Sequence, residues 1–182
     1  MHSRTWAILA SVLLGLGAAA PARAAQGLTV TADQALRFGS FVVVGTGTRT
    51  VSAAGTVTDS NTYPVSGAAT GPAQFTLVYE RAIQLGIPVN LPILVTVQII
   101  IAPVAPVTQN GVTGTISRFT TDLPGNPTVT AGQAFSYTLP LCVTLICQQT
   151  FRVGGSIDAS QSTAGTTITA PLSVTATIQT VL

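Results

Sequence analysis

Apolar and polar positions alternate with a period of two along most of the chain. Phe75, Leu77 and Tyr79 alternate with Thr76, Val78 and Glu80. Phe135, Tyr137 and Leu139 do so with Ser136 and Thr138, and Leu28 and Val30 with Thr29 and Thr31. Leu172, Val174, Ala176 and Ile178 repeat the pattern with Ser173, Thr175 and Thr177. A period of two places one set of side chains in a core and the other in water, so each run predicts a strand. Shorter strands are predicted over residues 37–44, 50–58, 112–120 and 150–157. Turn residues punctuate them: Gly45-Thr46-Gly47, Gly71-Pro72, Asn110-Gly111, Pro124-Gly125-Asn126-Pro127, Gly154-Gly155 and Ala164-Gly165. No helical period extends beyond two turns. About eight or nine strands at this spacing predict an all-β fold, a single antiparallel β-sandwich.

One segment breaks the alternation. Residues 85–107 carry no charge and include the run Val-Thr-Val-Gln-Ile-Ile-Ile. Length alone would allow a membrane span. Pro88, Pro92, Pro103 and Pro106 would break a helix repeatedly, and the core of the run is β-branched. The segment therefore predicts a buried central strand over residues 94–102. Such a strand left at an open edge would invite another chain.

The first 24 residues read differently. Arg4 and His2 precede a charge-free apolar run over residues 6–20, and Ala22-Arg23-Ala24 offers small residues where a signal peptidase reads. The run is shorter than the roughly 20 residues a spanning helix needs. Residues 1–24 are therefore expected to be a cleaved signal peptide, and residues 25–182 one β-sandwich domain. Met1, His2 and Trp6 are the only residues of their types and would leave with the leader.

Cleavage changes the charge. The whole sequence has seven Arg, no Lys and five acids, a formal +2. Without Arg4 and Arg23, five Arg (37, 49, 81, 118, 152) face five acids (33, 59, 80, 122, 158) and cancel. A neutral chain with scattered Arg offers no basic patch for nucleic acid and no basic face for an anionic membrane. Charged residues are only 7% of the chain, while Thr number 29, Gly 17 and Pro 11. The surface must then be covered by Thr, Ser, Gln, Asn and Gly. It would be wet but weakly self-repelling, and so tolerant of close packing in a polymer or coat.

The chemistry is mostly one of missing side chains. After cleavage no His remains for a Ser–His or Cys–His pair or an imidazole metal site. No Lys is present for Schiff-base chemistry. The carboxylates are dispersed, and no stretch has the alternating Asp and Asn of a calcium loop. Gly45 and Gly47 follow a predicted strand but lack the third glycine and the helix of a nucleotide loop, so a hairpin turn is expected there. No catalytic residue, cofactor or metal site is expected.

Cys142 and Cys147 are the only cysteines. An exported chain favours a disulfide. In an extended strand their Cα atoms would stand roughly 17 Å apart, whereas a bridge needs them within about 7 Å. The segment must bend if the two pair with each other; pairing between chains is the alternative. Val143, Thr144, Leu145 and Ile146 are poor turn residues. The expected placement is apolar side chains tucked into the core at a strand end. The sharper alternative is that Val143, Leu145 and Ile146 form an exposed apolar contact tip.

The segment Leu28-Thr-Val-Thr-Ala-Asp-Gln-Ala-Leu-Arg-Phe-Gly-Ser-Phe resembles the opening of a bacterial secreted family, domain of unknown function 4402. The shared pieces are Leu36, Phe38, Gly39 and Phe41, then Thr70-Gly-Pro-Ala-Gln-Phe-Thr-Leu, Phe151-Arg-Val-Gly-Gly-Ser-Ile and Ala164-Gly-Thr. The chain departs from the family at Thr166-Thr-Ile-Thr-Ala-Pro, where an aromatic is usual; the 85–107 stretch and the Cys pair are not family features either. The resemblance implies an exported immunoglobulin-like sandwich of Gram-negative bacteria, similar to pilin subunits, in the periplasm or on the outer cell surface. It implies no enzyme activity.

The expected function is a structural or adhesive surface subunit, fimbria-like and assembling by strand addition with copies of itself or a related subunit. Leu28 and Val30 are the candidate anchors of a donor strand, although a strand paired within its own sandwich is the simpler expectation. The other reading is a monomeric binding module for a glycan or protein. Tyr63 and Tyr79, outside the 135–139 strand, with no Trp after cleavage, give it little aromatic surface.

Overall fold

The computed structural model describes residues 27–81, 91–161 and 166–182. The expected leader, the Ala164-Gly165 turn and residues 85–90 of the charge-free stretch lie outside the described residues. Among the described residues there is no helix, and all strand pairs are antiparallel. The fold is all-β, as the alternation predicts.

Two sheets form. The larger runs β1 (Gly27–Gln34), β5 (Ala73–Glu80), β11 (Ile146–Gln161), β2 (Leu36–Val51), β12 (Thr166–Ala170). β3 (Val57–Pro64) and β4 (Thr70–Gly71) add to β2, and β8 (Val112–Thr121) to β11. β7 (Val107–Gln109) and β9 (Thr128–Val129) pair with β8. The smaller sheet is β10 (Ala134–Thr138), β6 (Val95–Ile101), β13 (Val174–Val181).

The 94–102 expectation is met by β6. It is the middle strand of its sheet, and Val95, Val97, Ile99 and Ile101 are fully buried. These side chains join one continuous core with Phe75, Leu77 and Tyr79 of β5, Phe151 and Val153 of β11, and Phe38 and Phe41 of β2. Phe75 and Phe151 are cross-strand partners with ring centroids 5.6 Å apart. Pairs of this kind tie neighbouring strands through the core face. Asn110-Gly111 is the turn of the β7–β8 hairpin, with φ of 51° and 78° at its two residues, as that dipeptide predicts.

Two turn signals lie inside strands, and one turn lies where the alternation predicts a strand. Gly45-Thr46-Gly47 lies inside β2, which continues for 16 residues; the β2–β3 register shifts between Val43 and Thr48 instead. Here the glycines accommodate a bulge, not a hairpin. The chain reverses at 52–56, inside the predicted 50–58 strand: Ser52 N–H donates to Thr56 O and Gly55 N–H to Ser52 O, both at 2.9 Å. Gly154-Gly155 lies inside β11, also 16 residues long. There β11 changes partners, from β5 up to Val153 to β2 from Gly155. A β-carbon at Gly154 would collide with the Val51 and Ser52 backbone. The glycine marks a close approach of two strands, a use of glycine that resembles a turn signal in sequence.

Candidate functional site

The candidate donor segment is β1. It pairs antiparallel with β5, placing Leu28 opposite Tyr79 and Val30 opposite Leu77. Leu77 and Tyr79 are fully buried, whereas Leu28 and Val30 are half-buried and pack on the core from outside. The last four residues of β1 are exposed, and its register shifts between Ala32 and Gln34. There the Thr76 hydroxyl donates to Asp33 Oδ2 at 2.7 Å. β1 is thus the first strand of its own sheet, the simpler of the two expectations. It is also an edge strand. Its outer side approaches β13 within 8 Å between Cα atoms without forming a ladder. Accommodating a further strand between two others takes about 9.6 Å, twice the inter-strand spacing. That seam admits no third strand as it stands.

The second candidate is the segment around the cysteines. Cys142 and Cys147 stand at disulfide distance, with Cα atoms 5.7 Å apart. The chain bends between them, as a bridge within one chain requires. Both cysteines are buried, but Val143 is 50%, Leu145 37% and Ile146 57% exposed. This corrects the expectation that the intervening side chains tuck into the core. Drawing both sulfurs inward arches the four residues between them outward. The arch is fastened: Thr144 Oγ1 donates to Ile146 O at 2.6 Å, and Arg81 N–H to Leu145 O at 2.8 Å.

Sequence reasoning missed what flanks this arch. Ile93 and Cys142 exchange two backbone hydrogen bonds of 2.9 and 3.0 Å, and Leu94 and Leu182 exchange two of 2.8 and 2.9 Å. Opposed pairs of this kind put side chains of neighbouring strands on one face. Leu141, Leu94 and Leu182 therefore form a cross-strand row, and all three are exposed. The signal was parity. If Ile93 and Val95 face the core, Leu94 faces outward, but a run read as apolar on both sides hid that alternation.

Polar chemistry gathers at a different place. Arg49 is buried and pairs with Asp59 at 2.7 Å. Its guanidinium carbon lies 5.5 Å from the Phe41 ring centroid. Thr62 Oγ1 donates to the same Asp59 oxygen at 2.7 Å. Nearby, a shallow cleft of about 420 Å³ is lined by hydroxyls, including Thr48 and Ser60, and by Asp158. Thr48 Oγ1 donates to Asp158 Oδ1 at 2.8 Å. Among the described residues no group of three His, Cys, Asp or Glu is placed to hold a metal. Among them there is also no helix long and apolar enough to cross a membrane. Burial pushes the Tyr79 and Tyr137 hydroxyls above their ordinary pKa of 10.0; nearby Arg81 partly offsets this at Tyr79, and Asp122 adds to it at Tyr137.

No curated protein and no solved structure matches the chain. The family described as domain of unknown function (DUF4402) matches residues 28–178, and the chain belongs to it.

Proposed function

We propose that this member of the domain of unknown function 4402 family is an exported, non-enzymatic structural or adhesive protein of the Gram-negative periplasm or outer surface. It has an immunoglobulin-like sandwich and joins copies of itself, or a related subunit, by strand addition. The observation that carries the reading is the attachment of β1. It is an edge strand held by two half-buried anchors, Leu28 and Val30, over a fully buried neighbour. Partial burial of two aliphatic side chains contributes on the order of 2 kcal/mol, little enough for exchange between copies. The β5 edge supplies both a hydrogen-bonding ladder and apolar positions at alternate residues, the features a donor strand recognises. The cysteine pair accords with an oxidising compartment.

A chain starting at residue 36 tests this. It should lose the longer chain's oligomers larger than a dimer and bind a synthetic peptide of residues 27–34. The same peptide with Leu28→Asp and Val30→Asp should not bind. Unchanged oligomers in the shortened chain would overturn the reading. The hydroxyl-lined cleft beside Asp158 favours a second reading, a monomeric binding module for a glycan or protein partner. A glycan array in which only Asp158→Ala loses signal would favour that module.

A further inference from the structure

We infer that a second copy of this chain covers the apolar pole formed by the leucine row and the cysteine arch. Among the described residues ten large hydrophobic side chains are exposed, and seven of them lie at this one end. Leu141, Leu94 and Leu182 make the row; Val143, Leu145 and Ile146 make the arch. Leu91, just before Leu94 in the chain, is tied to the arch through Arg81, which donates from its guanidinium to Leu91 O at 2.8 Å and from its backbone to Leu145 O. The pole is rigid. The cysteine pair, the Ile93–Cys142 exchange and the Leu94–Leu182 exchange hold its three segments in place. Little ordering entropy is then left to lose when it is covered.

Area and charge select the occupant. Seven aliphatic side chains about half exposed present on the order of 500 Å², near the top of the range for the largest apolar patch on an ordinary monomer, ~300–600 Å². That is the greater part of the ~800 Å² each partner gives to a standard interface. The charges beside the patch are one acid and one base, Glu80, opposite Ile146 on the neighbouring strand, and Arg81. A two-fold axis through the patch lays uncharged aliphatic surface on its equivalent. The one acid and one base at its rim cancel, so the covered surface carries no net charge to oppose its own copy. This is the anatomy of an isologous interface: an apolar centre and a polar rim. The surface is distinct from the outer edge of β1, and the inference does not rest on strand exchange.

Sedimentation velocity on the purified chain tests it. A dimer should form between about 1 and 100 µM, the weak end of the affinities interfaces of standard size show. Leu94→Asp with Leu141→Asp should weaken it at least about 100-fold, and the milder Leu94→Thr with Leu141→Thr by a smaller factor. Both pairs sit at exposed positions, so circular dichroism should retain the β signature. Leu28→Asp with Val30→Asp should leave this dimer intact while abolishing exchange through β1, which separates the two surfaces. A chain monomeric across the range, or a dimer indifferent to both leucine pairs, would overturn the inference. So would a monomeric chain that binds phosphatidylcholine vesicles through the same leucines, because the occupant would then be lipid.

Discussion

At the scale of single residues, the consequential groups are polar ones that the packing has drawn inside. Arg49 is 3% exposed, and its strong partner is Asp59. Removing one member of such a pair strands a buried charge, which costs far more than the pair contributes. Asp59→Ala should lower the unfolding free energy by about 3 kcal/mol, read from urea denaturation; Arg49→Met, which removes the charge but keeps the stem over Phe41, should cost less. Tyr79 presents the opposite case. Its hydroxyl is buried without a hydrogen-bond partner. Deleting it in Tyr79→Phe should therefore stabilise the fold by about 1 kcal/mol, the desolvation cost of an unsatisfied group. The same burial fixes the alkaline behaviour. Folded Tyr79 and Tyr137 hold their protons above pH 10.0, while the unfolded chain releases them near it. Their contribution is complete below pH 10 and is lost as pH rises from there toward the folded values. Melting temperature should fall on the alkaline side, and Tyr79→Phe should flatten that fall. A melting curve equally steep in the variant would count against the assignment.

At the scale of elements, legibility followed side-chain pattern and failed where backbone geometry decided. Strands β5, β6 and β8 were readable because alternation and β-branching report directly on which face is buried. β2 and β11 were not, because their continuity depends on glycines within them. A glycine that permits a turn and a glycine that permits two strands to touch look the same in sequence. Gly154 separates the two uses experimentally. If it were a turn residue at the surface, alanine would be tolerated. Because a β-carbon there meets the Val51–Ser52 backbone, Gly154→Ala should cost about 3 kcal/mol, at the upper end for overpacking, and lower the melting temperature accordingly. The candidate surfaces divided the same way. Leu28 and Val30 were visible as alternating anchors. The outward arch of Val143, Leu145 and Ile146 was legible only as one of two alternatives, because which way a closed bend points depends on where the two sulfurs go, a tertiary fact. The leucine row needed pairings between residues 94, 141 and 182, which no local window contains.

At the scale of the whole molecule, the distribution of charge matters more than its total. Ten charged residues remain after position 24, and each lies on a strand of the large sheet or, for Arg81 and Asp122, directly after one. β6, β10 and β13 carry none. The small sheet exposes Thr, Ser and Gln between apolar rows, with Thr96 and Thr138 hydroxyls 3.0 Å apart and Ser136 donating to Gln179 at 2.9 Å. Such a face has little field to repel a neighbour and little ionic hydration to strip away when covered. Association through the pole beside it should then depend on apolar area rather than on ion pairs. Screening shortens from about 14 Å at 50 mM salt to about 4 Å at 500 mM. The Glu80–Arg81 rim would lose a little across that range, while apolar contact would be unaffected by ordinary salt and strengthened by sulfate. Sedimentation at both concentrations should return dissociation constants within about threefold of each other, and ammonium sulfate should tighten the dimer. A tenfold weakening at 500 mM would place the contact on the charged sheet instead, and would move the site of assembly to the opposite face of the molecule.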